Sequence, residues 1–288
     1  MGPEEILAII NIVLAGLFGA VIGSFTNVCI YRIPEHRTIV KGHSMCMTCG
    51  HELGALDLVP IFSWLFLGGK CRYCKTPISS RYIKIESLTA LMYMLMAATH
   101  LSMFLDPTAV NPMDNLFPFI ELCALFIMIN VVIVEMMIQH DTGSSMYRLS
   151  LALGIDFVIQ ITARSLTVAT DDSLSSELAS KNSGWAVEIA VGAVIGFAAV
   201  LLAVLLSNRP KELSKYLHDP KFRAVRTSDL FAIVLCACIG IVPAAVAATV
   251  YLISRILIGN SKKVKYLGIL LAAGAAVGYF AYCAIQVI

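Results

Sequence analysis

The chain has 288 residues, of which 58% are hydrophobic and 14% are charged, and its mean hydropathy is +0.82. Soluble domains carry about 25% charged residues, so this composition argues against a soluble enzyme and favours a membrane-embedded protein. The formal net charge of +2 says little, because in a membrane protein the placement of Lys and Arg matters more than their sum.

Eight apolar runs follow one another along the chain, and a spanning helix needs about 20 such residues. The first run begins with Glu4 and Glu5 and is too long for the apolar core of a signal peptide, so we interpret it as a retained span. The run 229–242 is short and is followed by Pro243, which predicts a broken helix that faces an internal cavity. The runs are 5–30, 87–105, 115–138, 149–163, 185–206, 229–242, 243–258 and 266–288. They predict an all-α polytopic membrane protein with about eight transmembrane helices.

The charged residues of the intervening loops alternate in sign. Residues 31–85, 207–228 and 259–265 are rich in Lys and Arg, whereas 106–114 and 164–184 carry more acidic than basic residues. The positive-inside rule places the first group in the cytoplasm and the second outside, which eight spans with both termini outside satisfy. The basic loop 207–228 has little aromatic interleaving, so we expect lipid headgroups rather than nucleic acid as its partner.

Two C-x-x-C pairs lie in the first basic loop, and 21 residues separate them. The four cysteines are Cys46, Cys49, Cys71 and Cys74. Four thiolates at paired two-residue gaps suit tetrahedral zinc, because each pair fits a tight turn. The alternative is a reduced loop without metal. The pattern predicts a structural zinc site in a cytoplasmic loop domain.

A run of landmarks surrounds these pairs. It begins with GSFTNVCIYRIP at 23–34 and ends with ISSRY at 78–82 and Glu86. Single landmarks between them are Asp57, Pro60, Ser63, Trp64 and Arg72. In this run the chain resembles the prepilin leader peptidases, the bifunctional membrane enzymes of type IV pilus and type II secretion systems. The resemblance extends more weakly to the C-terminus.

This resemblance implies an aspartyl endopeptidase of the bacterial inner membrane. Such an enzyme removes the leader of type IV pilin-like or pseudopilin precursors at the cytoplasmic face. It then methylates the new N-terminus with S-adenosylmethionine. The implied division is a first transmembrane helix at 1–30, a zinc-knuckle domain at 31–85 and a transmembrane peptidase-like domain at 86–288.

The resemblance implies two catalytic aspartates, which must lie close together to share a proton and activate a water molecule. Asp229, in RTSDLFAIVLCACIG, takes the aspartate position of the family's GxGD motif, with Arg226 and Ser228 in place of the glycines. We expect Asp229 to open the short interrupted helix. Its alternative role is a helix N-cap.

The partner of Asp229 is harder to assign. When the resemblance is aligned on TGSSMYRLSLALG at 142–154, Gln139 takes the position of the family's first aspartate. An amide cannot exchange a proton, so Gln139 cannot be that acid or base. Asp141 lies at the expected depth, although two residues of helix would rotate it by about 200° from Gln139. Glu135 lies one turn deeper on the face of Gln139 and is the reserve candidate, since a carboxylate inside a span is costly. We predict Asp141 and Asp229 as the catalytic pair.

Two other functions remain open. Substitutions at both aspartate motifs favour, as an alternative, a proteolytically inactive family member that retains methyl transfer or substrate binding. A third hypothesis is a transporter or assembly factor in which Glu135 lies in an ion path.

Overall fold

The computed structural model of the protein describes residues 2–104, 112–143, 146–170, 175–207, 223–258 and 266–287. Within these ranges the regular secondary structure is helical, and β-structure is limited to two isolated bridges, Met45↔Glu52 and Lys70↔Pro77. The predicted all-α class is therefore confirmed for the described residues.

The helices form two compact units. The first unit, Met1–Thr108, contains α1 (Pro3–Arg32), a short 3-10 helix (Ala55–Asp57), α2 (Phe62–Phe66) and α3 (Arg81–Phe104). The second unit, Ala109–Ile288, contains six helices in its described part. These are α4 (Pro112–Thr142), α5 (Tyr147–Thr170), α6 (Ser175–Ser207), α7 (Arg223–Cys238), α8 (Ile241–Ile258) and α9 (Leu267–Val287). The predicted domain limits at 30 and 85 stay a prediction.

In the first unit, α1 packs closely against α3 because glycines line their contact. A Cβ atom on Gly19 would lie 2.9 Å from the Cα atom of Ala90, and one on Gly23 would lie 2.8 Å from the Cα atom of Glu86. Real Cβ atoms do not approach backbone so closely, so the helices meet at this distance only with glycine at both positions. Small residues at helix contacts are typical of membrane helices, because they let two backbones approach.

The predicted helix break before Pro243 is present, but the helix that precedes it begins earlier than predicted, and the break lies at Gly240. Helix α7 ends at Cys238, and Gly240 adopts a φ of +80°, the left-handed conformation that commonly ends a helix. Pro243 lies in the first turn of α8, where its missing N–H group costs no hydrogen bond. The prediction that Asp229 opens the helix is wrong, since α7 begins at Arg223.

The predicted eight spans are confirmed only in part. Each apolar run overlaps one of the long helices α1 and α3–α9. By length and composition, Glu5–Arg32 and Phe119–Thr142 can cross a membrane, and Ala190–Leu206, Ile241–Leu257 and Leu267–Ala281 are shorter apolar helices. Two such helices agree with a membrane protein but do not establish eight spans. The loop 259–265 and most of 207–228 lie outside the described residues, so the orientation stays a prediction.

We expect the change Gly23→Ala to destabilise the protein by about 1–3 kcal/mol, because the added methyl group meets the backbone of α3. Denaturant unfolding in detergent micelles, followed by circular dichroism, measures this loss. The matched control is Gly154→Ala in α5, where a Cβ atom meets nothing within 4 Å. This control should be neutral or more stable, by up to about 1 kcal/mol, because alanine favours a helix. Equal destabilisation of the two variants would contradict close packing at Gly23.

Candidate functional site

The four predicted zinc ligands lie together in the first unit. The sulfur atoms of Cys46, Cys49, Cys71 and Cys74 all lie within 4.8 Å of one another, and those of Cys46 and Cys74 are 3.8 Å apart. A tetrahedral zinc ion with Zn–S bonds of about 2.3 Å places its ligands about 3.8 Å apart. The cluster therefore has the dimensions to hold one zinc ion.

The two cysteine pairs are held by the same kind of turn. In the first pair, the Cys46 amide donates to the carbonyl of His51 at 2.9 Å, and the Gly50 amide donates to the carbonyl of Cys46 at 2.8 Å. In the second pair, the Lys75 amide donates to the carbonyl of Cys71 at 3.1 Å. Gly50 and Lys75 both adopt a positive φ, of 69° and 59°. A lysine is strained in this left-handed conformation, so the second turn costs conformational free energy at Lys75.

The thiols of the cluster differ in their readiness to ionise. The hydroxyl and amide of Thr76 lower the pKa of Cys74 to about 6. The His51 amide lowers the pKa of Cys49, but desolvation and the neighbouring sulfurs of Cys46 and Cys74 outweigh it and raise that pKa to about 11. Zinc binding requires all four thiols as thiolates, so metal uptake releases protons and depends on pH.

An ion pair joins the 3-10 helix to the second cysteine turn. Arg72 lies inside that turn, and its Nε atom is 2.5 Å from Oδ1 of Asp57. The second oxygen of Asp57 accepts from the Gly54 amide at 3.2 Å and from the Tyr73 hydroxyl at 3.4 Å. The Arg72 guanidinium lowers the pKa of Asp57. The sequence analysis did not predict this pairing.

Glu86 anchors the loop on α3. Its Oε2 atom accepts a hydrogen bond from the Ile61 amide at 2.7 Å. Ile61 has a φ of 63°, which is unfavourable for a β-branched residue, so this contact holds a strained backbone in place. The landmark Trp64 adds a second anchor, donating from its ring nitrogen to the carbonyl of Ile78 at 3.3 Å.

The second unit contains a group of buried polar residues that we call the polar cluster. Gln139 of α4 donates from Nε2 to the Ser228 hydroxyl of α7 at 2.6 Å. The next residue, Asp229, accepts from the Tyr251 hydroxyl of α8 at 2.5 Å, and its Oδ1 atom is 3.6 Å from Nε of Arg255. All five residues are at most 3% exposed.

The two other carboxylates proposed for catalysis lie elsewhere on α4. The helix continues to Thr142, so the rotation of about 200° separates Asp141 from the face of Gln139. Asp141 contacts His140 at 3.2 Å, and 32% of its side chain is exposed. Glu135 is 1% exposed and lies 3.4 Å from the Met146 amide. Gln139, and not Asp141, therefore contacts Ser228, the residue directly before Asp229.

Comparison with known proteins identifies the first unit. A family model described as "Bacterial Peptidase A24 N-terminal domain" matches residues 17–100. Several relatives are named "Prepilin leader peptidase/N-methyltransferase". Over these residues the chain is similar to the prepilin leader peptidases/N-methyltransferases. The resemblance predicted from the landmarks is confirmed there.

The relatives match over a limited length. The protein of Myxococcus xanthus is 44% identical over 77 residues, which are 27% of this chain and 23% of that protein. The protein of Dichelobacter nodosus is 33% identical over 115 residues (31% and 40%), and that of Aeromonas hydrophila is 37% identical over 110 residues (30% and 38%). The matches thus span less than half of these prepilin leader peptidases. No solved structure matches the chain.

Sequence reasoning missed Tyr251 and Arg255 in the polar cluster. Arg255 carried a usable signal, because it is a basic residue inside the apolar run 243–258. Tyr251 carried none. Asp229, one member of the predicted catalytic pair, therefore lies in a buried ion pair.

We expect Cys46→Ser and Cys71→Ser to reduce bound zinc from one ion per chain to well below one, because three thiolates leave the tetrahedron incomplete. Elemental analysis of the purified protein measures the metal. The matched control is Cys123→Ser in α4, outside the cluster, which should keep its zinc. In the wild type, zinc should be lost progressively as the pH falls below neutral, because protons compete with the metal for the four thiolates. Full zinc content in Cys71→Ser would exclude this site.

We expect Asp229→Ala to lower the free energy of unfolding by about 3–5 kcal/mol, because it leaves the guanidinium of Arg255 buried without its carboxylate. The double variant Asp229→Ala, Arg255→Met should recover much of this loss. Thermal unfolding in detergent measures both variants. Asp141→Ala is the control and should change stability by less than about 0.5 kcal/mol, since the residue is partly exposed. A fully stable Asp229→Ala variant would show that the ion pair contributes nothing.

Proposed function

We propose that this protein is a membrane-bound member of the prepilin leader peptidase family that binds type IV pilin-like or pseudopilin precursors and does not cleave them with an aspartyl pair. The observation that carries this proposal is the contact between Gln139 and Ser228, beside an Asp229 that is paired with Arg255.

The chemistry of aspartyl proteolysis needs two carboxylates that share a proton and activate one water molecule. The amide of Gln139 cannot take part in that exchange, because it neither gains nor loses a proton near neutral pH. Asp229 accepts from Tyr251 and faces the fully buried Arg255. Both positions are therefore committed to holding helices together.

We assign substrate binding to the first unit, because it contains the landmarks that resemble the family. Its cysteine cluster has the dimensions for zinc. A zinc ion with four thiolate ligands has no open position, so it would brace the loop rather than react. We place this loop in the cytoplasm of a bacterial inner membrane, as the charge pattern predicts. Methyl transfer from S-adenosylmethionine belongs to the same proposal as a retained activity, with no residue assigned to it.

A second candidate function is the aspartyl endopeptidase predicted from the sequence. It would use Asp229 with Asp141 or Glu135. Glu135 supports this endopeptidase function, because a carboxylate that is only 1% exposed within an apolar helix is a functional candidate. Its position four residues before Gln139 keeps it on the same face of α4.

We expect the purified protein to bind a pilin-type precursor without removing its leader, because the acid–base pair is incomplete. Pull-down measures binding, and mass spectrometry measures cleavage. The Aeromonas hydrophila relative with a precursor from its own organism is the positive control for the assay.

The same assay separates the two candidate functions. Cleavage that is lost in Asp229→Asn and in either Glu135→Gln or Asp141→Asn would establish the endopeptidase and overturn the proposal. Failure of the folded, zinc-loaded protein to bind a precursor from its own organism would overturn the binding role.

A further inference from the structure

Helix α2 turns an apolar face to the outside of the first unit. Trp64 is directed inward, where its ring nitrogen donates to the carbonyl of Ile78. The neighbouring side chains point away, and Phe62, Leu65 and Phe66 are 50%, 54% and 86% exposed. The rings of Phe62 and Phe66 lie 6.4 Å apart, so together they form one patch. An apolar patch of this kind on a small domain marks a contact surface.

The contacts of the loop fix the level of this patch relative to the apolar helices. Ile61, directly before α2, donates to Glu86 in the first turns of α3. Asn27, near the end of α1, donates from Nδ2 to the carbonyl of Tyr82, also in the first turn of α3, at 3.3 Å. The apolar helix α1 ends at Arg32. Helix α2 is therefore held where α1 ends and α3 begins.

Aromatic and basic residues gather at the same level. Tyr31 and Tyr82 stack with ring centroids 5.8 Å apart, and the Arg81 guanidinium lies 5.2 Å from the centre of the Tyr31 ring. Lys84, one turn after Arg81, lines a shallow and mainly apolar groove on α3. Lys70 follows α2 after a short turn. Aromatic rings and long basic side chains collect in this way at the boundary between hydrocarbon and water.

We propose that α2, with the exposed basic side chains of Lys70 and Lys84, docks on the surface of an anionic lipid bilayer. Phe62, Leu65 and Phe66 enter the boundary between headgroups and acyl chains, and the two lysine side chains meet lipid phosphates.

Two observations select lipid as the occupant of this face. The loop is tied at both ends to apolar helices, one of which is long enough to cross a membrane, so the bilayer is always within reach. The charge around the patch is positive, since residues 67–84 carry five basic and no acidic side chains. Arg72 is excluded from the docking surface, because Asp57 already pairs with it. The inference goes beyond precursor binding and does not depend on it.

Hydrogen exchange of the full-length protein tests the proposal. The protein is placed in nanodiscs of phosphatidylcholine alone and in nanodiscs with one third phosphatidylglycerol. Amide exchange in 62–70 is then read by mass spectrometry, with 45–52 of the first cysteine turn as the internal control. We expect slower exchange in 62–70 in the anionic discs only. Replacing Lys70 or Lys84 by glutamine should weaken this protection by roughly fivefold for each charge removed.

Apolar contact is tested by the double variant Phe62→Ser, Phe66→Ser, which should lose the protection in anionic discs. Met47→Ser is the matched control, since Met47 is 88% exposed and lies in the first cysteine turn. Zinc content verifies that each variant keeps its loop. Equal exchange of 62–70 in the two kinds of disc would overturn the proposal without using any variant. Protection that requires an added precursor instead of anionic lipid would also overturn it and assign the face to a peptide.

Discussion

The close approach of α1 and α3 sets the geometry of the first unit. Gly19 and Gly23 leave no side chain between the helix backbones, so the end of α1 and the start of α3 lie side by side. The loop between them must leave and return at nearly the same point. Such a loop cannot bury a large core, and it is held instead by polar anchors and by the cysteine cluster.

These anchors act on different parts of the loop. Glu86 holds Ile61 and with it the start of α2, while the pairing of Asp57 with Arg72 joins the 3-10 helix to the second cysteine turn. The four sulfur atoms lie close enough for one zinc ion to join the two cysteine turns to each other. Because each contact fixes a separate segment, the apolar face of α2 is presented outward instead of collapsing onto the loop. Several of the sequence landmarks, namely Asp57, Arg72 and Glu86, therefore give the loop its shape.

The second unit is organised by a different kind of contact. Its polar cluster joins three helices through Gln139, Asp229 and Arg255, all of which are nearly inaccessible to solvent. Taking a charge out of water is costly, so an aspartate and an arginine persist in such a place only as partners. A pair of this kind fixes the register of α7 against α8. The same pairing engages the carboxylate of Asp229, which an aspartyl mechanism would also need. A structural role of the polar cluster and an aspartyl mechanism are thus in competition for one residue.

The sequence by itself determined the helical class, the order of the apolar segments and the cysteine set. Each of these depends on local pattern: apolar run length, Pro and Gly punctuation, and the two-residue gap that suits a tight turn. It misjudged the start of α7, because Ser228-Asp229 before an apolar run looks like a helix start, whereas the helix already begins at Arg223. Only the tertiary structure paired Asp229 with Arg255 and Asp57 with Arg72. Those partners lie 26 and 15 residues apart in the chain, and only the packing of separate segments brings them together.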